Sequence, residues 1–337
     1  MEAAAGVAPI VHYREVAFMG IVNVVTNLGK LTRIGRQIQA AMRDFAPDVV
    51  IPVDYADFNF RFILPYAKKE LRCPVIYYIL PKLWAWRAGR IRQLRRYVDL
   101  GLSILPFETS YFSDRGLRTA YIGNPCVDAK LTYLAEHPEP VEREQILLLV
   151  PGSRQSELRD NLPEMLAATA AYSQLGWRVV IAGAPGLTAA DYAHHLGKYS
   201  DTPILFGDTY GLMRRAHAAL VTSGTATLEA GLWGIPMVVC YRMGGRRIAR
   251  LAFEHLFRVP YFSLVNLILD RPAVPELLAD RAHSVQILSI LSRLIPEEDH
   301  RRTDQLQAFA QLQELMGTEP SAPRAARAIL SYLHEAR

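Results

Sequence analysis

Short apolar runs rich in β-branched residues alternate along the chain with longer segments whose apolar positions recur at helical spacing. In the first half, 49–53, 75–79, 100–105 and 119–122 predict strands. Helices are expected between them, at 31–45, 58–71, 87–98 and 108–115. The rhythm breaks at Gly123-Asn124-Pro125 and at the polar run Glu136-His137-Pro138-Glu139-Pro140, which read as a linker. It restarts with strands at 146–150, 179–182, 204–206, 219–221 and 237–240, and helices at 154–175, 189–199, 210–217, 225–233 and 246–257. After Glu276 the pattern is helical alone, at 284–294, 299–316 and 323–336. This alternation predicts an α/β chain of two doubly wound, Rossmann-like domains, 1–140 and 141–320, facing a cleft. A helical tail, 321–337, is free to return to the first domain. Ligands in such sheets sit beyond the carboxyl ends of the strands, which says where a site would be and not what it does.

Composition narrows the class. A length of 337 residues suits two domains, and no run approaches the roughly 18–20 apolar residues that cross a bilayer. Residues 1–9 lack the basic and apolar regions of a signal peptide. Cys73, Cys126 and Cys240 are far apart and without metal-ligand spacing; Cys73 and Cys240, in apolar strand-like contexts, read as small core hydrophobes, which suits a reducing, cytoplasmic setting. The net charge of +5 is mild, but its distribution is uneven. From Lys82 to Arg96 there are six basic residues and no acidic one, beside Trp84 and Trp86.

The strongest chemistry lies in Ser223-Gly224-Thr225, between a strand and a helix that carries Glu229 one turn in. Gly224 removes a side chain where an anion would approach the free N–H groups, and Ser223 and Thr225 add hydroxyl donors. Glu229 is spaced to accept hydrogen bonds from ribose hydroxyls; a helix cap with a first-turn glutamate is the plainer alternative. A second loop, Pro151-Gly152-Ser153-Arg154, follows the first strand of the same domain. It lacks the Lys-Ser/Thr ending of an ATP phosphate loop, and Arg154 opposes the helix dipole, so its guanidinium suits a diphosphate better than a helix start. In the first domain, Asp54 and Asp57 flank a strand end in Val53-Asp54-Tyr55-Ala56-Asp57-Phe58-Asn59. Either could take the proton of an attacking hydroxyl, or cap the helix that follows. No His/Cys cluster supports a metal.

Met19-Gly20-Ile21, Asp57-Phe58-Asn59, Trp84-Ala85-Trp86-Arg87, Leu105-Pro106-Phe107-Glu108, Pro151-Gly152-Ser153-Arg154, Ser223-Gly224-Thr225 with Glu229, and Ser263-Leu264-Val265-Asn266 occur in this order. In that order the chain resembles the lipid-A-disaccharide synthases, from about His12 to Leu278. The resemblance implies a GT-B fold and an inverting transfer needing no cofactor. UDP-2,3-diacylglucosamine would be the donor and 2,3-diacylglucosamine 1-phosphate (lipid X) the acceptor, yielding a β(1→6) disaccharide and UDP. By motif, Asp57 is the general base and Arg154 the diphosphate partner. Ser153, Ser223, Gly224, Thr225 and Glu229 belong to the UDP site. Asp54 and Asn59 lie beside the acceptor, and Asn266 is a required residue of unassigned role. Asn124 stands where many members have histidine.

Acyl-chain substrates also give the basic segment a reading. Arg90, Arg92, Arg95 and Arg96, with Trp84 and Trp86, form a patch facing an anionic membrane at the inner face of the inner membrane. An ordinary solvated helix face is the alternative; no nucleic-acid module is recognised. A homodimer is compatible with the chain. Members of the family open with a Gly-Glu-x-Ser-Gly-Asp unit well before the Met-Gly-Ile motif, whereas eighteen residues precede Met19 here. On that reading a central strand is absent, the first half is the less stable and is cut first by proteases, and the chain binds UDP without transferring sugar. A different UDP-GlcNAc-using GT-B enzyme, and a silent UDP- and membrane-binding protein, are the other functions considered.

Overall fold

The computed structural model describes residues 6, 9–11, 28–242 and 259–335. The chain divides into two compact units, 1–122 with 323–337, and 123–322.

The first unit is built on a parallel sheet of β1 (Ile76–Tyr78), β2 (Leu100–Ser103) and β3 (Thr119–Tyr121) in that order. The expected strand at 49–53 is present as two parallel bridges, Val50 to Val75 and Val53 to Tyr78, which extend the sheet beyond β1. Helix α1 (Leu28–Phe45) forms because Leu31, Ile34, Ile38 and Met42 fall on one stripe and pack into the core beside Phe62. A helical stretch, α2 (56–71), mixes α and π turns, and α3 (Ile91–Tyr97) and α4 (Glu108–Ser113) follow. The other face of the sheet, Ile76, Leu100, Leu102 and Ile122, is covered by Ala325, Ala328, Ile329 and Tyr332. Those residues lie on the last helix, 321–335, so the tail packs on the first unit's sheet.

The second unit carries six parallel strands: β4 (Glu144–Val150), β5 (Arg178–Gly183), β6 (Ile204–Phe206), β7 (Ala216–Thr222), β8 (Met237–Tyr241) and β9 (Glu276–Leu278). Their order is β6-β5-β4-β7-β8-β9. Every residue of β7 is buried, as a central strand with both faces covered requires. On one face Leu158, Leu162, Met165, Tyr192, Ile287 and Leu291 pack on the strands. On the other, Gly231 lets three helices meet, since a Cβ there would lie 2.8 Å from Leu312 and 2.9 Å from Val265.

Several elements differ from the sequence reading. The break at 123–125 is a helix start rather than a linker: Asn124 accepts a hydrogen bond from the Cys126 N–H (2.9 Å), and Pro125 opens a helix, Pro125–Glu136. The divide accordingly falls after Ile122, not at 140. β9 and the helix Leu264–Leu269 occupy a region that the pattern left without a strand and with a helix only after it. Residues 216–217, read as the end of a helix, begin β7. The expected helix at 246–257 and the Met19-Gly20-Ile21 motif lie outside the described residues.

Candidate functional site

In the first unit the chemistry begins where the Val53 bridge ends. The Asp54 N–H donates to the Tyr78 carbonyl (2.9 Å), holding this turn to the end of β1. Asp54 (φ 41°) and Tyr55 (φ 40°) then take left-handed backbone, each at a cost of about 1–3 kcal/mol for a side chain other than glycine. Two buried groups hold them there. Asn59 Nδ2 donates to the Asp54 carbonyl at 2.6 Å, and the Tyr77 hydroxyl donates to the same oxygen at 2.7 Å. Burial pushes the Tyr77 hydroxyl well up, so it stays a donor. Asn59 is therefore a brace beneath the turn, while Asp54 and Asp57 are exposed.

Asp57 sits in the first helical turn after that loop, its side chain 62% exposed. Arg87 Nη1 lies 2.9 Å from Asp57 Oδ1, and Arg90 reaches the same oxygen. Arg87 is itself left-handed (φ 52°), and its guanidinium lies 4.1 Å from the centre of the exposed Trp86 ring. Arg90 lies 5.0 Å from the Phe60 ring. The surface patch read from the sequence is thus divided. Arg90 is turned onto Asp57, and Trp84 is turned inward, donating from Nε1 to Glu108 (3.0 Å) and meeting Phe107 edge-on. Arg92, Arg95 and Arg96 remain exposed, opposite the buried Leu94 and Val98.

In the second unit, the loop after β4 folds onto its own helix. Glu157 Oε2 accepts from the Ser153 N–H (2.9 Å), and Glu157 Oε1 accepts from Arg154 Nη1 (2.7 Å). Gly152 (φ 115°) is required here, because a Cβ would sit 2.3 Å from Glu157 Oε2. Arg154 is more than half exposed, and Tyr241, at the end of β8, is near enough to feel both charges.

After β7, Gly224 and Thr225 are exposed at the start of the helix Thr225–Leu232, and the space a Gly224 Cβ would fill is open. Ser223 does not project freely; its hydroxyl donates to the Phe262 carbonyl (2.7 Å). Thr227 donates to the Gly224 carbonyl (2.8 Å) and accepts from the Leu264 N–H (3.2 Å). Behind these, the Glu276 carboxylate accepts from the N–H groups of Phe262 (3.1 Å) and Ser263 (2.8 Å) and from Asn266 Nδ2 (2.8 Å). Asn266 is buried and also exchanges hydrogen bonds with the Val274 backbone, at 2.8 and 2.9 Å. It pins the 262–276 segment instead of facing the open turn. Glu229 is partly buried and accepts from the Tyr210 hydroxyl (2.7 Å), a group that burial and the carboxylate hold strongly protonated.

An open turn at Gly224–Thr225 with a carboxylate one helical turn in, beside a neighbouring strand end that carries the half-exposed Arg154, suits a nucleotide diphosphate. A family model described as Lipid-A-disaccharide synthetase matches residues 1–329. The chain belongs to the lipid-A-disaccharide synthase family. The match extends beyond both ends of the motif series. The Lipid-A-disaccharide synthase of Myxococcus xanthus (strain DK1622) is 36% identical over 344 residues, covering 99% of this chain and 88% of that protein. That of Acidobacterium capsulatum is 33% identical, covering 95% of this chain and 83% of its own length. Among solved structures, a putative UDP-N-acetylglucosamine 2-epimerase from Listeria monocytogenes superposes with a TM-score of 0.60 at 15% identity, covering 91% of this chain and 80% of that one. The UDP-GlcNAc 2-epimerase of Neisseria meningitidis, bound to UDP-GlcNAc, gives 0.56 at 14% identity, covering 96% and 83%. These likenesses establish a GT-B-like fold for this family member. Among the described residues no group of three or more His, Cys, Asp or Glu is placed to hold a metal ion, and no helix is long and apolar enough to cross a membrane.

Sequence reasoning missed Glu157, Tyr210, Thr227 and Glu276 as site residues, and Arg87 as the partner of Asp57. Glu157 had a local signal, three residues from Arg154 on a helix start. Tyr210 and Glu276 had none, since each meets its partner only through the fold.

Proposed function

We propose that this chain joins UDP-2,3-diacylglucosamine to the 6-hydroxyl of 2,3-diacylglucosamine 1-phosphate (lipid X), giving the β(1→6) disaccharide 1-phosphate and UDP. The observation that carries the proposal is Asp57, an exposed carboxylate in the first helical turn after a loop held in strained backbone, in a member of this family. The acceptor oxygen bonds to C1 of the donor sugar as its proton passes to Asp57. The C1–oxygen bond to the β-phosphate breaks, and its electron pair leaves with UDP. A single displacement from the face opposite the leaving group inverts the anomeric centre.

The second unit's residues bind and charge-balance the leaving group. Arg154, freed from its half-exposed pair with Glu157, turns to the diphosphate, where a guanidinium offers two parallel donors. The open turn at Gly224 and Thr225 supplies backbone N–H groups. Glu229, oriented by Tyr210, receives the ribose hydroxyls. Ser223 and Asn266 act through the turn they hold, and Asn59 through the Asp54 backbone. Trp86, Arg92, Arg95 and Arg96 present cations and one aromatic edge to the headgroups of the inner membrane's inner face, where the acylated substrates lie.

Substituting Asp57→Asn tests the reading. Turnover should fall roughly 10²- to 10⁴-fold with UDP affinity unchanged. Loss of UDP binding with normal turnover of bound substrate would remove Asp57 from the role.

A further inference from the structure

Arg87 and Arg90 spend their charge on a single oxygen of Asp57, which leaves most of their donor capacity unused. Each guanidinium carries five N–H donors in a planar fork suited to two-point contact with an oxyanion. Both meet Asp57 only at Oδ1, and the Arg87 side chain remains 41% exposed. The two forks are also held in place from below. The Arg87 guanidinium lies 4.1 Å from the centre of the Trp86 ring and that of Arg90 5.0 Å from the Phe60 ring, cation–π contacts that do not use up N–H donors on an acceptor oxygen. The loops carrying this group hold four residues in left-handed backbone: Asp54, Tyr55, Ile79 and Arg87. Strain of that kind persists where surrounding structure fixes it, and it gathers at ligand sites.

We propose that Arg87 and Arg90 together bind the phosphate of the acceptor, so that the site selects a phosphorylated sugar over the same sugar without its phosphate. The inference rests on Asp57 as the base for the acceptor hydroxyl. A phosphate monoester carries about −1.5 to −2 charge near neutral pH, against −1 for a carboxylate. It therefore competes well for both guanidiniums and draws them from Asp57. The hydroxyl that attacks and the phosphate of the acceptor are one sugar ring apart, so a base flanked by two cations can read both ends of one monosaccharide. Binding the phosphate then frees the Asp57 carboxylate to take the proton.

The test compares two acceptors in detergent micelles, diacylglucosamine 1-phosphate and diacylglucosamine, with the native chain and with Arg87→Gln, Arg90→Gln and the double variant. Arg87 is exposed and Arg90 half-buried, and neither belongs to the buried core, so the variants should fold. The native chain should prefer the phosphorylated acceptor by at least about 100-fold in kcat/KM, the lower end of what two charge-assisted hydrogen bonds contribute. The double variant should bring the two acceptors to within about threefold, through a higher KM for the phosphorylated one. A parallel fall for both acceptors would show that the arginines only hold Asp57, and would overturn the proposal. So would indifference of the native chain to the phosphate, or loss of vesicle binding with phosphate preference intact, which would give the arginines to the membrane. Asp57→Asn separates this inference from its premise. Full turnover in that variant with phosphate preference retained would sink the base assignment and leave the arginine clamp standing.

Discussion

Glu108 shows what a single residue can do without touching a substrate. It is buried, and its carboxylate accepts from the Trp84 indole and from the N–H groups of Ile104 and Leu105. Burial raises its pKa, and these donors pull it down less strongly. A carboxyl raised in the folded state contributes stability that is full below the unfolded value of about 4.3 and is lost as pH climbs through the folded value. Stability of the first unit should therefore fall as pH rises above that point, and Glu108→Gln should flatten the dependence in denaturant titrations. An unchanged pH profile would show that the carboxyl is not raised. The same scale governs Glu229. If Glu229 receives the ribose hydroxyls as proposed, removing the hydroxyl that orients it in Tyr210→Phe should weaken uridine and UDP binding alike by a few-fold. Arg154→Ala should instead weaken UDP about tenfold and leave uridine unaffected. Equal loss of both ligands in the arginine variant would place Arg154 away from the diphosphate.

Individual elements were legible where one signal dominated. The apolar centre of β7, 219–221, reads as a strand although its first residues read as the end of a helix, and α1 reads from its single apolar stripe. β9 has three residues, too few for any period, and Gly123-Asn124-Pro125 is equally a turn and a helix start. The Ser223-Gly224-Thr225 turn was visible from the sequence, but its support was not. Glu276 lies more than fifty positions away and reaches it through Phe262, Ser263 and Asn266. Glu276→Ala leaves three donors without their acceptor and should cost the second unit about 2–3 kcal/mol, with weaker UDP binding. Glu276→Gln, which restores one acceptor, should recover part of both. Unchanged UDP affinity in the alanine variant would uncouple this network from the turn. Gly152→Ala should disrupt the neighbouring loop, because its Cβ meets Glu157 and its φ is unsuited to a side chain.

At the scale of the whole molecule, the two units carry different chemistry. Residues 123–322 hold the turns proposed to bind the nucleotide, and 1–122 with 323–337 hold the carboxylate and its arginines. UDP at about 100 times its Kd should stabilise its unit by about 2.7 kcal/mol. Hydrogen exchange should show that protection within 123–322 and little of it in 28–122. The sequence disclosed the family and the alternating architecture because both rest on motifs and periods spread along the whole chain. The pairing of Asp57 with Arg87 was hidden because the two are thirty residues apart and meet across the end of one sheet. The most direct measurement supplies both acylated substrates in micelles and follows product by mass and by the configuration of the new linkage. The account predicts a β-linked disaccharide 1-phosphate and one UDP per linkage, lost in Asp57→Asn. UDP binding without disaccharide formation, or release of a free sugar in its place, would contradict it.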